Sequence, residues 1–333
     1  MRDVPIDLPR IQLRGFRPDD LPALDVLLRE VETVDQTDEH LDLADLEEEV
    51  ADPLLDASRD WVVAVDGGTL VGCFRIIPRD PDGAELTAYG SGCVHPDRRG
   101  EGIGTRLAAA MLERAQERHR ALAPAKPAQL KVSGLTDQAD QADLLAAIGL
   151  VPHRWTLTLG VGPIPEQDVG DLPAGLRVRR YDAARDEEAL RLVHNEVFRD
   201  HPGSSPWTPD EWRQWVTSSR SFRGDVSLLA VDAEGAIAGY VQVEEWDAVR
   251  QVTGLREAWI ARVGTTREHR GRGLASVLLR HTLEVCRQDG FDRAALDVDS
   301  ANPTGALGVY ERAGMTLEKH WTTYRRPDPP ATA

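Results

Sequence analysis

A chain of 333 residues that is 41% hydrophobic but lacks any long apolar run has room for two domains of ordinary size, each with an ample core, and reads as soluble. Its 56 acidic residues against 39 basic ones give a formal charge of −17, which argues against nucleic acid as a general partner and favours small cationic ligands. No apolar signal segment follows Met1, no stretch suits a membrane, and Cys73, Cys93 and Cys286 lie too far apart in sequence for a metal-ligand or disulfide framework, so a reducing cytoplasm is expected.

Residues 11–17 predict a short strand leading to a helix from Asp20 to Val31, capped by Asp19 or Asp20. The acidic stretch 32–52 predicts a second helix with a solvated face. Residues 61–76 form a hairpin pattern that turns at Asp66-Gly67-Gly68, and 86–94 is a further strand. The run Arg99-Gly100-Glu101-Gly102-Ile103-Gly104 then opens a helix over 107–118. A strand at 129–132, a helix at 139–148 and a last strand at 155–159 complete this half.

The same order returns after a Gly- and Pro-rich stretch without periodicity. Gly239 stands 167 residues after Gly72, Gly273 171 after Gly102, and Gly314 165 after Gly149. A near-constant offset across several landmarks marks a tandem duplication. The predicted division is a first domain at 1–160, a linker at 161–175 and a second domain at 176–333.

In the second half, the strand Ala258–Val263 runs into Arg270-Gly271-Arg272-Gly273-Leu274-Ala275 and then into an apolar-periodic helix. Strand, Gly-rich turn and helix is an arrangement that binds phosphate: the first helical turn leaves backbone N–H groups unpartnered, the macrodipole is positive there, and glycines let a pyrophosphate come close. A strand at 294–298 follows, then Asn302, Ala306, Tyr310 and Gly314 at four-residue steps.

The order Arg270-x-x-Gly273-x-Ala275 followed by those four residues resembles the acetyl-CoA signature of the GNAT acyltransferase superfamily. That family's loop reads Gln/Arg-x-x-Gly-x-Gly/Ala, and its late helix carries an Asn and a Tyr. The doubled arrangement is similar to the tandem GNAT enzymes of actinobacteria, the mycothiol synthase-like proteins, in which the C-terminal half does the chemistry. The resemblance implies an α/β (α+β) fold of two tandem GNAT-like domains, each a mixed, mostly antiparallel sheet flanked by helices, with the central parallel strands splayed around the cofactor. It implies an acetyl-CoA-dependent N-acetyltransferase acting on the primary amine of a small molecule by direct attack. Two narrower or different readings stand beside it: acetylation of a cysteinyl pseudodisaccharide, and a non-catalytic acyl-CoA-binding regulator.

Such a transfer needs a base for the amine and an acid for the departing sulfur. Tyr310 is the acid candidate, and Glu257, at the start of the strand that leads to the phosphate turn, the base candidate. The backbone of Ala261, Arg262 and Val263 is expected to pair with the pantetheine arm as an added strand, and one such N–H to polarise the thioester carbonyl. Arg270, Gly271, Arg272, Gly273, Leu274 and Ala275 are expected at the phosphates, helped by Arg267 and His269. Asn302 reads equally as a helix cap and as a cofactor ligand. Glu244, Glu245, His201 and Trp207 are candidates for the acceptor pocket. In the first half, Cys93, Val94, Arg99, Gly100, Glu101, Gly102, Ile103 and Gly104 form the matching cofactor loop, or a fold element kept without its ligand. Leu145 stands where the second half has Tyr310, so no chemistry is expected there.

Overall fold

The computed structural model describes residues 11–79, 85–199, 206–301 and 306–326. The elements run β1 (Ile11–Gly15), α1 (Leu21–Asp35), α2 (Leu43–Val50), α3 (Ala57–Asp60), β2 (Trp61–Asp66), β3 (Thr69–Arg79), β4 (Leu86–Val94), α4 (Ile103–Leu122), β5 (Ala128–Leu135), α5 (Ala139–Ala147) and β6 (Val151–Val161). They continue with β7 (Arg177–Arg180), α6 (Ala183–Val197), α7 (Pro209–Trp212), β8 (Leu228–Val231), β9 (Ile237–Glu244), α8 (Asp247–Thr253), β10 (Glu257–Thr265), α9 (Leu274–Gln288), β11 (Arg293–Asp299), α10 (Ala306–Arg312) and β12 (Thr316–Arg325).

The chain divides into two compact units, one of residues 1–154 with 321–333 and one of residues 155–320. In the first, β1, β2, β3 and β4 pair antiparallel in that order, β5 lies parallel to β4, and Trp321–Arg325 of β12 runs antiparallel to β5. In the second, β7, β8, β9 and β10 pair antiparallel, β11 is parallel to β10, and Thr156–Val161 of β6 runs antiparallel to β11. Each sheet is mixed and mostly antiparallel, as expected. The division of the chain is not the one expected at 160 and 176. The strand that closes the first half of the sequence pairs in the second unit, and the chain's last strand pairs in the first. Ser133 and Thr323, 2.9 Å apart, and Thr136 and Thr322, 2.8 Å apart, fix that last strand by hydroxyl hydrogen bonds.

The duplication is visible in individual hydrogen bonds. Arg14 grips Asp20 with two bonds of 2.7 Å near the first unit's opening strand, and Arg179 grips Asp186 at 2.5 and 2.8 Å near the second's. Leu150 N–H donates to the Leu145 carbonyl at 3.0 Å past α5, and Met315 N–H to the Tyr310 carbonyl at 3.1 Å past α10. This six-to-one bond is the ordinary way to satisfy a carbonyl at a helix C-terminus.

The acidic stretch departs from expectation. It is broken into the end of α1 and the short α2, because the Glu32 carboxylate accepts the N–H groups of Thr37 and Asp38 at 3.2 and 2.6 Å and so turns the chain. Asp42 and Asp45 then exchange reciprocal bonds of 2.9 Å each that cap α2.

On one face of the second unit's sheet, a core including Leu159, Val243, Ala258, Ile260, Leu278, Leu283 and Leu296 packs under α9. On the other, Tyr240, Trp212, Leu190 and Val231 pack under α6 and α7. At roughly 1.5–3 kcal/mol for each large side chain fully buried, these two layers hold the sheet while leaving its parallel pair free to part.

Candidate active site

The parting of the parallel strands makes the site. β10 and β11 stay in register for Glu257, Ala258 and Trp259 only, opposite Arg293, Ala294 and Ala295. Beyond Trp259, β11 follows β6 and β10 follows β9. The register of β10 on β9 slips between Ile260 and Arg262, so Ala261 is an extra residue. A bulge of this kind bends the strand and strengthens its twist, and it falls where the two strands separate. The edge of β10 over Ala261–Val263 thus faces the wedge with backbone polar groups that β11 does not pair.

At the end of β10 the chain turns into α9. Gly273 occupies its N-cap at φ 79° and ψ 1°, and no side chain caps the helix. A left-handed residue there is cheap only for glycine. Gly271 and Gly273 both take positive φ, and a Cβ on either would meet nothing within 4 Å, so the turn borders open space. The uncapped helix start and the open space above it fit a pyrophosphate. Leu274 is buried against the core, so only its backbone faces the turn.

The arginines divide by task. Arg270 donates through Nε to the Thr265 carbonyl at 3.2 Å and through Nη2 to the Val197 carbonyl at 3.0 Å, fastening the strand end and the end of α6 to the turn. Those two bonds tie its side chain to the scaffold. Arg267 and Arg272 are exposed, and His269 Nδ1 lies 2.9 Å from the Thr266 hydroxyl. Of the basic cluster, Arg267 and Arg272 extend from the turn without an ion pair among the described residues.

Tyr310 is buried in the same core cluster as Ile260, Leu274 and Val298. Burial pushes its phenol up to about 12, so it holds its proton at neutral pH, as a proton donor must. Asn302 and His201 lie outside the described residues.

Register places the other candidates on one sheet face. Trp259 stands opposite Glu244, Arg262 opposite Gln242, and Gly264 opposite Tyr240, so these residues share the face under α6 and α7. Glu257, two residues before Trp259, points the same way. Its carboxylate is 2.7 Å from Arg293 Nη1, and Arg293 also binds Glu318. Glu244 is 3.2 Å from Arg262 Nη1, and the Arg262 guanidinium lies 6.0 Å from the centre of the Trp207 ring. Trp207 is held by Asn195, whose side chain accepts its N–H at 2.9 Å and donates to its carbonyl at 3.0 Å.

Glu245 does not join this group. One of its oxygens accepts from Arg256 at 2.8 Å, and the other from Arg223 at 3.0 Å and Arg256 at 3.1 Å. Desolvation works against its charge, but the two guanidinium groups more than offset that and hold its carboxyl below the usual range. It is a buried structural ion triad. Sequence reasoning missed those partners, which lie outside the local run. It also missed His194, whose Nδ1 is 2.6 Å from the Tyr240 hydroxyl. Burial first, and Arg262 second, push that imidazole down to about 3, so it stays neutral and pins α6 to β9.

The first unit keeps the turn and a parting of its parallel strands but lacks the bulge and the phenol. Gly102 caps α4 at φ 79° and ψ 4°. Arg99 Nε donates to the Val94 carbonyl at 3.3 Å, matching Arg270, while its other nitrogens bind Asp35 at 2.7 and 2.8 Å. Both oxygens of Glu101 are taken by Arg98. Ile103 is buried, and a Cβ on Gly104 would touch Leu144 at 3.3 Å. Here β4 pairs with β5 over five residues, Leu86–Gly90, and its register on β3 is unbroken from Gly72 to Arg79. No bulge interrupts it. The strands enclose a cavity of about 210 Å3 lined by Asp35, Trp61, Cys73, Cys93, Gly134 and Gln141 among others. The Gln141 side chain packs where a Gly134 Cβ would stand. Leu145 is buried in this unit's core, at the place of Tyr310.

Two of the three free cysteines, far apart in sequence, are neighbours in space. Antiparallel register sets Cys73 opposite Cys93, and their sulfurs are 3.7 Å apart. Twenty residues of sequence separate two side chains that the hairpin makes neighbours.

Comparison with known proteins agrees with this geometry. Residues 22–130 and 188–315 match the model of the Acetyltransferase (GNAT) family. A protein of Thermobispora bispora called mycothiol acetyltransferase is 30% identical over 277 residues, 80% of this chain and 83% of that protein. A GCN5-related N-acetyltransferase structure from Sphaerobacter thermophilus superimposes with a TM-score of 0.76 at 26% identity, covering 96% of both chains. A tandem GNAT protein of the clavulanic acid biosynthesis pathway shares the fold, with a TM-score of 0.72 at 19% identity over 97% of this chain and 100% of that one. Among the described residues, no helix is long and apolar enough to cross a membrane.

Proposed function

Because the chain belongs to the GNAT family of acetyltransferases and is an N-acetyltransferase that uses acetyl-CoA, we propose that it acetylates the primary amine of a small molecule, with all chemistry in the second unit. The observation that carries this reading is a coincidence of three features there and their separation in the first unit. The second unit combines the bulged, splayed β10, the uncapped glycine turn and a buried phenol. The first unit retains the turn, and its parallel strands also part beyond Gly90, but its β4 has no bulge and Leu145 stands in place of the phenol.

Bound acetyl-CoA supplies an activated acetyl group. The turn Gly271–Ala275 holds the phosphates by backbone N–H groups, with Arg267 and Arg272 adding positive charge. The free edge of β10 at Ala261–Val263 orients the pantetheine arm and directs an N–H at the thioester carbonyl. Tyr310 keeps a proton for the leaving sulfur. Glu257 takes a proton through water from the acceptor's ammonium, which frees the amine to attack, and acts from its ion pair with Arg293; Glu244 is its competitor for that role. Trp207 and Glu244 line the acceptor side, where the carboxylate suits an ammonium group. Much of the acceleration is positioning.

A second reading is favoured by the relatives' names: the acceptor is the cysteinyl pseudodisaccharide that a mycothiol acetyltransferase acetylates. One experiment separates the possibilities. Purified protein is given acetyl-CoA and a panel of amines including that pseudodisaccharide, and thioester consumption and acetylated products are followed. Turnover confined to the pseudodisaccharide selects the second reading. Cofactor binding with no turnover on any amine leaves a non-catalytic binding protein and removes the proposal.

A further inference from the structure

The cavity of the first unit has no part in the chemistry above, yet it presents two thiols. Cys73 on β3 and Cys93 on β4 are direct cross-strand partners. Their sulfurs are 3.7 Å apart, both side chains are partly exposed, and both line the cavity. Antiparallel partners have Cα atoms about 4.5–5.5 Å apart, within the range a disulfide spans. The guanidinium of Arg75, two residues from Cys73, lines the same cavity; it binds the Ser91 hydroxyl at 2.9 Å and pairs with Glu49.

We propose that Cys73 and Cys93 are a reactive thiol pair that small disulfides entering this cavity oxidise to an intramolecular cross-strand disulfide. The chemistry balances with the small disulfide as oxidant. The Cys73 sulfur, as thiolate, attacks one sulfur of R–S–S–R; that S–S bond breaks, a mixed disulfide forms on Cys73, and the first RS⁻ leaves and takes up a proton. Cys93 then loses its proton and attacks the Cys73 sulfur, displacing the second RS⁻, which is protonated in turn. The protein dithiol gives up two electrons and two protons, and two RSH appear. Cys73 is the attacking group because its contact with the Cys93 sulfur and the positive charge of Arg75 favour its thiolate against desolvation, so its thiol lies below the usual value while that of Cys93 is pushed above it. Cys286 is the internal control: it is fully buried, and burial pushes its thiol up to about 12.

The test uses the intact chain and bis(2-hydroxyethyl) disulfide. After incubation, free thiols are alkylated under denaturing conditions and the protein is mapped by mass spectrometry. Of the three cysteines, two should become protected, linked to each other as a Cys73–Cys93 peptide pair, while Cys286 stays alkylated. In Cys93→Ser the reagent's half should remain on Cys73 as a stable mixed disulfide. Mapping the unsubstituted chain decides the matter even if that variant does not fold. The proposal is overturned if Cys73 and Cys93 stay fully alkylated under conditions that oxidise the urea-unfolded chain, or if Cys286 reacts as extensively as they do.

Discussion

Tyr310 and Leu145 occupy the same place in two copies of one helix. Each gives its carbonyl to the residue after the helix-ending glycine, and each is buried. Of the two, only Tyr310 carries a group that can give a proton. Tyr310→Phe keeps the ring packing and removes the proton donor; turnover should fall roughly 10²-fold or more while acetyl-CoA affinity holds. Titration and rate measurement check this together. The donating form is the neutral phenol, and burial raises its pKa to about 12; any alkaline limb that vanishes in Tyr310→Phe should thus lie above the ordinary phenol range. For the base, Glu257→Gln should show a rate deficit that shrinks as pH rises, because more of the amine is then free. A pH-independent deficit would mean that Glu257 serves its pairing with Arg293, and the same profile on Glu244→Gln would then locate the base. The positions of Tyr310 and Leu145 are legible in the sequence from their spacing to Gly314 and Gly149, and Glu257 stands as a candidate by resemblance to the family, at the start of the strand before the turn. The fates of Glu245 and Arg270 are not legible there. Arg223 and Arg256 reach Glu245 from outside its strand, and the Val197 carbonyl reaches Arg270 from a helix 73 residues away.

Among elements, the two glycine turns offer a matched comparison. Gly102 and Gly273 have nearly identical backbones, so a side chain at either costs about 1–2 kcal/mol of conformational strain. Loss of stability should be alike, and loss of activity should not. Gly273→Glu places a carboxylate where the phosphates belong, and turnover should disappear. Gly102→Glu should leave a substantial part of it. Calorimetry reports whether the first turn holds a cofactor: one site fewer in Gly102→Glu if it does, the same number if it does not. A folded Gly102→Glu protein without activity, beside an active Gly273→Glu protein, would sink the asymmetry between the units. Most strands and helices follow from alternation and periodicity, their ends shifted by a few residues. The bulge at Ala261 does not, because one extra residue in an apolar strand changes neither its composition nor its propensity. The Gly- and Asp-containing turns were readable because their residues are selected for local reasons.

For the molecule as a whole, the repeat was plain in the sequence and the division into units was not. Local patterning gives β6 to the half it follows, whereas pairing is decided by which edge is vacant when the fold closes. The first unit needs Trp321–Arg325 and the second needs Thr156–Val161. Cleaving the chain once within 161–175 should therefore not release two folded domains. The fragments should migrate as one species on native size-exclusion chromatography and part only in denaturant. Recovery of two separate, folded monomers would contradict the strand assignment.

This exchange of strands also sets a timetable for biogenesis. When β5 leaves the ribosome, its edge partner has not been made; roughly 190 further residues must be translated first. At about 5–20 residues per second that delay is on the order of ten to forty seconds. Throughout it the nascent first unit carries an unpaired sheet edge, open to mispairing with neighbouring chains. Chaperone engagement should concentrate in that interval, and a stop codon just before Trp321 should strand the N-terminal unit, which lies far upstream of it.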